Sequence, residues 1–342
     1  MTNSSVAVVI LNWNGINLLR QFLPGVVANS KPYHVVLADN ASTDDSVAWT
    51  KEHFPEVQII VNESNGGYAK GYNEALKEVH AEYFVLLNSD VEVTPGWLDP
   101  MVELMKNPEI LGCQPKILAQ QRKDEFEYAG ASGGFIDKHH FPFCRGRIFD
   151  VIEKDENQYD YAVPVFWASG ACLFIRSEVF NLLQGFDERF FAHFEEIDLC
   201  WRAQRMGGHF VVEPKSVVYH VGGSTLSYNN PRKTFLNFRN SLLMIHKNQP
   251  TMLWAVLFRR LSIDGLAGFN FIVRGDFHHC WAILKAHFAF YMMLGSSRRE
   301  RKKWKHLKQR ATVGVYNGSL LWAKYAQKIR KFSDLNQRKF LG

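Results

Sequence analysis

The chain has 342 residues, 46% of them hydrophobic and 22% charged, which is enough for one large domain or two modest ones and excludes disorder as the default. Its five cysteines are odd in number and form no CxxC pair, so a disulfide framework and a zinc knuckle are not expected. We predict a reducing, cytoplasmic compartment. The N-terminal apolar run is too short for a signal or a membrane span, so no secretion is expected.

The net charge of +6 is unevenly distributed along the chain. From Arg298 onward there are 14 Lys and Arg residues against two acidic residues, so this tail carries +12 and the first 297 residues carry −6. Three interpretations of the basic, aromatic-rich tail stay open: contact with an anionic membrane surface, a solvated charged face, and nucleic-acid binding. Nucleic acid is the least favoured of the three.

Apolar runs alternate with amphipathic segments over the first 90 residues, and the pattern predicts seven elements. Strands are predicted at 6–11, 34–38, 57–61 and 83–87, and helices at 16–28, 44–53 and 67–79. Strands that alternate with helices are typical of βαβ units, and parallel strands read as apolar throughout because both of their faces are buried. We predict an α/β fold with a mostly parallel central sheet flanked by helices.

The rest of the chain is less regular. Further elements are predicted as a helix at 97–105, a strand at 111–115, an ordered segment at 165–176, a helix at 195–205 and strands at 209–212 and 217–220. The stretch 120–161 has no clear period and is predicted as a long irregular excursion. Residues 253–294 are apolar and aromatic but contain several charges, which predicts amphipathic helices that pack on the body or lie on a membrane. The C-terminal region is therefore predicted as an α-helical extension.

Three acidic positions follow predicted parallel strands: Asp39, the pair Asp44 and Asp45, and Asp90. Carboxyl ends of strands form the ligand crevice of an open α/β sheet, so we interpret Asp39 and Asp90 as functional. Asp44 and Asp45 are better explained as helix caps. Neither GxGxxG after the first strand nor GxxxxGK[ST] is present, which excludes the usual dinucleotide and P-loop signals. Trp13 in the first turn, LNWNG, either stacks on a nucleobase or packs structurally.

Six blocks of the sequence together resemble family 2 glycosyltransferases of the GT-A fold, most closely the bacterial branch that includes rhamnosyltransferases. They are VVILNWNG, VVLADNASTDDS, VNESNGGYAKGYNEAL, FVLLNSDVEVTPGWL, GACLFIRSEVFNLLQGFDERFFAHFEEIDLCWRAQRMG and VVYHVGGST. The resemblance implies a GT-A domain over 1–245, with a nucleotide-binding half at 1–118 and an acceptor-binding half at 119–245. Residues 246–342 match in character only and are expected to form the helical, basic region.

The resemblance also implies roles for individual residues. Asp39 is expected to contact the nucleobase, and Asp90 to hold a divalent cation, Mg²⁺ or Mn²⁺, although the first acid of the family's DxD motif is Asn88 here. His220 is either a further metal ligand or a structural histidine. Residues expected to contact the nucleotide sugar are Asn12, Trp13, Asp39, Asn65, Gly66, Gly67, Asn73, Asn88 and Ser89. Those expected to contact the acceptor are Trp167, Ser169 and Gly170.

The segment FEEIDLCWR carries the acidic pair expected at the catalytic centre. Glu196 takes the position of the catalytic base, and Glu195 and Asp198 are further candidates. On a helix Glu195 and Asp198 share a face that Glu196 does not. The alternative is a surface acidic helix in which Asp198 forms an ion pair with Arg202, four residues later.

The resemblance implies an inverting glycosyltransferase of bacterial surface polysaccharide assembly. Its donor would be a dTDP- or UDP-linked sugar, with dTDP-rhamnose among the candidates, and its acceptor a saccharide or a lipid-linked saccharide. Peripheral contact with the inner face of the cytoplasmic membrane is the expectation if the acceptor is lipid-linked. Two alternatives stay open: a catalytically silent nucleotide-sugar-binding or membrane-adaptor protein, and a sugar nucleotidyltransferase.

Overall fold

The computed structural model describes residues 5–222, 230–307 and 312–341. The end of the motif VVYHVGGST, at 223–225, and residues 308–311 of the basic tail lie outside the described residues.

The strands are β1 Val6–Asn12, β2 His34–Asp39, β3 Gln58–Val61, β4 Tyr83–Asn88, β5 Val91–Val93, β6 Ile110–Ala119, β7 Arg122–Phe126, β8 Gly134–Asp137, β9 Pro142–Cys144, β10 Arg147–Ile148, β11 Val151–Ile152, β12 Val163–Val165, β13 Cys172–Arg176, β14 His209–His220, β15 Val315–Tyr316 and β16 Phe340–Leu341. The helices are α1 Ile16–Asn29, α2 Ser46–His53, α3 Gly67–Ala75, α4 Asp99–Leu104, α5 Ser177–Leu182, α6 Glu195–Met206, α7 Pro231–Asn248, α8 Leu253–Val273, α9 Phe277–Met292, α10 Leu294–Lys303 and α11 Leu320–Tyr325.

A mixed central sheet forms the body of the protein. Its strand order is β12-β14-β6-β13-β4-β1-β2-β3, with β5 beside β14 and β7 beside β6. The strands β3, β2, β1 and β4 are parallel, as predicted, and β13 runs antiparallel between β4 and β6. The predicted α/β class, with helices flanking a central sheet and more helices at the C-terminal end, is confirmed.

The register of the parallel strands brings three strand ends together. Asn12 at the end of β1 lies opposite Asp39 at the end of β2, and Leu11 lies opposite Asn88 at the end of β4. Parallel strands finish at the same edge of a sheet, so the polar residues that follow them share one crevice.

Successive residues of β1 point to opposite faces of the sheet and enter two separate cores. Val8 and Ile10 pack in the core that α1 and α4 cover, whereas Ala7 and Val9 pack in the core beneath α3, α5 and α6. This burial on both faces explains why the first strands are apolar throughout.

The prediction of an irregular excursion at 120–161 is wrong. That stretch forms β7 to β11, and β8 to β11 build a second sheet in the order β11-β10-β9-β8-β15-β16. These strands have two to five residues, too few for an alternating pattern to stand out in the sequence. The two strands predicted at 209–212 and 217–220 are one strand, β14, with an irregularity after Glu213.

The C-terminal region returns to the body of the protein. Val315 in β15 pairs with Ile136 in β8, and β16 pairs with β15. The helices α7, α8 and α9 pack on one another, and α7 also contacts α6. Within the described ranges, no helix combines the length and the apolar character that crossing a membrane requires.

Candidate functional site

Asp39 organises the first turn of the crevice from a buried position. Its carboxylate accepts hydrogen bonds from the Asn12 side chain at 2.9 Å and from the Ser42 backbone N–H and hydroxyl at 2.8 and 2.6 Å. Asp39 and Asn12 are almost completely buried. In this conformation the carboxylate therefore holds together the loops that follow β1 and β2, and it does not face solvent.

The outer part of the same turn is open. Trp13 is 52% exposed, and the Asn14 side chain beside it accepts a hydrogen bond of 2.7 Å from the Thr43 backbone. Asp44 accepts from the Ile16 backbone at the start of α1 and from Ser46 at the start of α2, so its predicted capping role is confirmed. Asp45, by contrast, makes no capping hydrogen bond through its side chain.

The loop from Asn65 to Gly67 connects the crevice to the acidic segment. The Asn65 side chain accepts a hydrogen bond from the Gly67 backbone at 2.9 Å, and Gly67 has a φ of +81°. A Cβ at Gly67 would lie 2.6 Å from the carbonyl oxygen of Phe191, so only glycine fits there. Gly66 is partly exposed at the start of α3. Asn73 instead bonds the backbone of Phe186 and has a structural position.

The triplet Asn88-Ser89-Asp90 meets β14 at His220. The Nε2 atom of His220 lies 3.1 Å from Asp90 Oδ1 and 3.4 Å from Asn88 Nδ2, and Ser89 is partly exposed between them. Glu127 approaches from the other side, with its Oε1 atom 3.5 Å from His220 Nδ1. Sequence reasoning did not find Glu127, because it lies in the stretch without a recognisable pattern.

The charges around His220 indicate what this cluster can hold. Burial disfavours protonation of His220, but Glu127 and Asp90 outweigh it and raise its pKa to about 10. The same two carboxylates would attract a metal cation. Across the described residues there is no group of three or more acidic, His or Cys side chains arranged as a metal site. With this pKa His220 is protonated at neutral pH in the absence of a cation. Asp90 would supply an oxygen ligand to a cation, and His220 a nitrogen ligand only after losing its proton, with the other ligands coming from a substrate and water.

Glu195 and Glu196 open α6 and form an acidic pair in a poorly hydrated environment. Glu195 is buried and Glu196 partly exposed. Burial, followed by the charge of Glu196, holds the pKa of Glu195 well above its usual range. Burial also raises the pKa of Glu196 to about 7, although backbone N–H groups at the helix start favour its charged form. In each of the two carboxylates Oε2 is buried and has no hydrogen-bond partner among the described residues, so each carboxylate keeps an unused acceptor.

The backbone that leads into the acidic pair is held in an uncommon conformation. Phe191, His193 and Phe194 all have positive φ, between 65° and 73°. Asn240 of α7 stabilises this segment, since its side-chain amide donates to the carbonyl oxygens of Phe190, Ala192 and His193 at 2.7 to 3.0 Å. The position of the acidic pair therefore depends on α7.

Asp198 lies in a different environment from the pair. Its predicted ion pair with Arg202 is present, with 2.9 Å between Oδ2 and Nε, but the predicted surface location is wrong because both side chains are buried. Lys247 and Asn248 of α7 also bond Asp198, at 2.7 Å each. These contacts give Asp198 a structural position behind the pair.

The three residues that were expected to contact the acceptor make hydrogen bonds within the protein. Trp167 is buried and donates to the Phe135 carbonyl at 3.0 Å, and the buried Ser169 hydroxyl donates to a backbone carbonyl at 2.6 Å. Gly170 is partly exposed, and its carbonyl accepts a 2.7 Å hydrogen bond from the Tyr68 hydroxyl. Tyr68 was not singled out from the sequence, and both Glu195 and Glu196 raise its pKa, after the larger effect of burial.

Cys144 connects the two halves of the site electrostatically. Burial is the largest cause of the raised pKa of its thiol, and the charges of Glu127 and Glu196 add to it. Glu127 contacts His220, and His220 contacts Asp90. The charges of Glu127 and Glu196 therefore both reach Cys144. The site contains a carboxylate suited to accepting a proton and, separately, acidic groups that would attract a cation.

The chain is similar to proteins of known activity. The model of glycosyl transferase family 2 matches residues 7–181. An N-acetylglucosaminyl-diphospho-decaprenol L-rhamnosyltransferase of Mycobacterium tuberculosis (strain CDC 1551 / Oshkosh) is 26% identical over 218 residues, which cover 59% of this chain and 71% of that protein.

Two solved structures share the fold. GalNAc-T7 with UDP, GalNAc and Mn²⁺ has a TM-score of 0.55 at 16% identity, and the match covers 72% of this chain and 48% of that chain. The mannosyltransferase PcManGT from Pyrobaculum calidifontis, in complex with GDP-Man and Mn²⁺, has a TM-score of 0.52 at 14% identity and coverages of 89% and 80%. With more than half of its residues matched by the family model, the chain belongs to glycosyl transferase family 2 and is a glycosyltransferase of the GT-A fold, similar to the bacterial rhamnosyltransferase branch.

Proposed function

We propose that the protein is an inverting glycosyltransferase that moves a sugar from a nucleoside-diphosphate donor to an acceptor hydroxyl. The observation that carries this proposal is Glu196, a partly exposed residue whose carboxylate has a pKa of about 7 and a buried oxygen, Oε2, without a hydrogen-bond partner among the described residues. A base whose pKa lies near neutrality is suited to take a proton from an alcohol during attack.

The reaction is a single displacement. Glu196 accepts the proton of the acceptor hydroxyl while that oxygen forms a bond to the anomeric carbon. The bond between this carbon and the diphosphate oxygen breaks, and the nucleoside diphosphate leaves with the electron pair. Glu195 stays protonated beside it, because burial and the charge of Glu196 oppose its ionisation.

The donor is proposed to bind along the edge formed by the strand ends. Trp13 offers an exposed ring for stacking on the base, and the exposed Asn65 and the partly exposed Gly66 lie in the neighbouring loop. Asp39 acts through Asn12 and Ser42, which it positions. We propose a dTDP- or UDP-linked donor, with dTDP-rhamnose as the first to test. Support for rhamnose comes from the similarity to the mycobacterial L-rhamnosyltransferase.

Asp90 and His220 are proposed to hold a divalent cation, Mg²⁺ or Mn²⁺. Bound there, the ion would neutralise charge on the diphosphate. Asn88 supplies no charge, so Asp90 is the one carboxylate among the proposed ligands, Glu127 adds negative charge from the other side of His220, and the donor phosphates supply further oxygen ligands. Both solved neighbours named above contain Mn²⁺, which supports testing that ion first.

We also propose the acceptor and the setting of the reaction. The acceptor is a saccharide or lipid-linked saccharide of bacterial cell-envelope polysaccharide assembly, in keeping with the diphospho-decaprenol acceptor in the name of the mycobacterial relative. The protein would then be cytoplasmic and peripheral on the inner membrane face. Residues 1–118 form the donor half, 119–245 the acceptor half and 246–342 the membrane-associating region in this proposal.

A donor screen combined with one substitution tests the proposed function. Nucleotide sugars are first screened for thermal stabilisation of the protein with Mg²⁺ or Mn²⁺, and release of nucleoside diphosphate is then measured with the best donor. Glu196→Gln should retain the thermal shift and lose transfer by at least about 100-fold. Glu178→Gln, an exposed acidic residue on α5, is the matched control and should react normally. Normal turnover by Glu196→Gln would refute the assigned base, and release of pyrophosphate from a sugar phosphate and a nucleoside triphosphate would refute the reaction class.

A further inference from the structure

The helices α8 and α9 carry two stripes of large apolar side chains that no described part of the protein covers. Each of these side chains is 44% to 74% exposed. On α8 the stripe consists of Trp254, Phe258, Leu266, Phe269, Ile272 and Val273. On α9 it consists of Phe277, Trp281, Leu284, Phe288, Tyr291 and Met292. Contiguous apolar surface of this extent marks a site of interaction with another molecule or with a membrane.

The spacing of the exposed residues shows that each stripe occupies one face of its helix. Most successive members lie three, four or eight residues apart, and the adjacent pairs Ile272–Val273 and Tyr291–Met292 fall within the same face at 100° per residue. The opposite face of α8 is buried through Leu257, Arg260 and Gly268, and that of α9 through Ile283 and Phe290. Both helices therefore have an inner face that packs on the protein and an apolar outer face.

The two helices are packed together and against the body. Gly268 lies beside α9, since a Cβ at this position would be 3.7 Å from Cys280 Sγ and 3.9 Å from Ile283. The α9 helix also packs along α7, the helix that holds the segment before Glu195. A surface on α8 and α9 is thus connected to the proposed catalytic segment through one helix.

The polar residues of these helices indicate which partner the surface fits. Arg259, Arg274 and Lys285 are exposed, whereas Asp264 is buried in an ion pair with Arg260. Asp276, in the turn between the helices, is the exposed carboxylate of the segment 253–292. Tryptophan, tyrosine and phenylalanine with basic neighbours are typical of helices that lie in the interface of a membrane with anionic lipids. Aromatic stripes on two helices whose exposed charges are mainly basic therefore fit the interface of an anionic bilayer.

We infer that α8 and α9 form a docking hairpin that lies in the headgroup region of an anionic lipid bilayer and inserts its aromatic stripes among the acyl chains. The inference deepens the proposed function, on which its biological meaning rests, by naming lipid as the partner and this hairpin as the contact. The basic residues of the tail, including Arg298 and Arg299, add electrostatic attraction but do not insert.

Co-sedimentation with vesicles tests the inference on the full chain. The vesicles contain equal amounts of phosphatidylglycerol and phosphatidylcholine, with pure phosphatidylcholine as the neutral comparison. The double variant F269S/W281S should lower the partition onto anionic vesicles by about tenfold or more, because two inserting aromatic side chains are lost. The control W322S removes a tryptophan that is equally exposed on α11, outside the hairpin, and should bind like the unmodified protein. The variant R298Q/R299Q should weaken binding by a smaller factor and mainly at low salt.

Three outcomes of the vesicle experiment would overturn the inference. They are unchanged vesicle binding by F269S/W281S, a larger loss with W322S or R298Q/R299Q than with F269S/W281S, and absence of binding by the unmodified protein. Gel filtration without lipid tests the competing occupant: a dimer that F269S/W281S dissociates would assign the stripes to a second copy of this chain and also overturn the inference. Thermal stabilisation by the donor and Mn²⁺ is measured in parallel. If F269S/W281S keeps that thermal stabilisation but no longer binds vesicles, membrane docking and donor binding are separate properties. The proposed function is then tested independently of the docking inference.

Discussion

His220 lies at the end of β14, and its Nε2 atom is 3.1 Å from the Oδ1 atom of Asp90, which follows β4. The two strands are brought into reach by β5, which continues from Asp90 and pairs with β14 so that Val91 lies opposite His220. A short antiparallel pairing therefore creates the cluster proposed to bind the cation.

Asp90→Asn and His220→Ala should each raise the Mn²⁺ concentration needed for half-maximal thermal stabilisation in the presence of UDP or dTDP, by about tenfold or more. Each substitution removes one of the two proposed protein ligands. The measurement is a Mn²⁺ titration of the melting temperature at constant nucleotide. Asp99→Asn changes an exposed acid on α4 and should leave the titration unchanged. Unaltered Mn²⁺ dependence in both site variants would remove this cluster from the metal role.

The rate of transfer should depend on pH through Glu196. Burial raises its folded-state pKa to about 7, so at pH 6 the carboxylate is mainly protonated and cannot act as a base. We expect kcat/KM to rise about tenfold per pH unit below 7 and to level off above it. Glu196→Asp should keep this rising limb at a lower rate, and Glu196→Gln should lack it. A rising limb of the same shape in Glu196→Gln would assign the titration to another group.

Asn240 should act as a positioning residue for the acidic pair. Asn240→Asp has nearly the same shape but loses the donor group that bonds three carbonyl oxygens, so the free energy of unfolding should fall by about 1 to 3 kcal/mol. We expect kcat to fall while the KM for the donor stays nearly constant, because the strand-end loops are not altered. Asn237→Asp, one turn earlier on α7, is the control. Equal losses of kcat in the two variants would indicate a general effect of charge on this helix.

Lys247 should stabilise the fold through two buried carboxylates. Its Nζ atom lies 2.6 Å from Asp187 and 2.7 Å from Asp198. Burial tends to raise the pKa of Asp187, but Lys247 and Arg189 outweigh it and lower that pKa. Lys247→Met should therefore lower the free energy of unfolding at pH 7 by about 3 to 5 kcal/mol, since two buried carboxylates lose a shared cation and each keeps only one, Arg189 or Arg202.

The contribution of Lys247 to stability should depend on pH. A carboxyl group with a lowered folded-state pKa contributes stability above its unfolded pKa of about 4 and loses that contribution as the pH falls. The difference between Lys247→Met and the unmodified protein should accordingly shrink between pH 7 and pH 3, measured by urea unfolding. Lys77→Met, at an exposed position, should show no difference at either pH. A constant difference over this range would mean that Lys247 acts through packing.

Local sequence patterns were sufficient for the parallel half of the sheet and for the positions of Asp39 and Asp90 at strand ends. Apolar runs of strand length and helical spacing are properties of neighbouring residues, so they can be read without a structure. The choice of Glu196 needed the family resemblance as well, because a pair of glutamates at a helix start has several ordinary explanations.

Contacts between distant segments decided the rest. The sequence alone does not show that Glu127 approaches His220, that Asp39 is buried among Asn12 and Ser42, or that Trp167 and Ser169 belong to the framework. The same holds for the second sheet, where β15, near the C-terminal end of the chain, pairs with β8 in its middle. Burial and pairing of this kind depend on how the whole chain closes on itself, whereas periodicity depends on a few neighbouring residues. Only the tertiary structure could therefore show that the apolar stripes of α8 and α9 face outward, whereas the ion pair between Arg260 and Asp264 on α8 is buried.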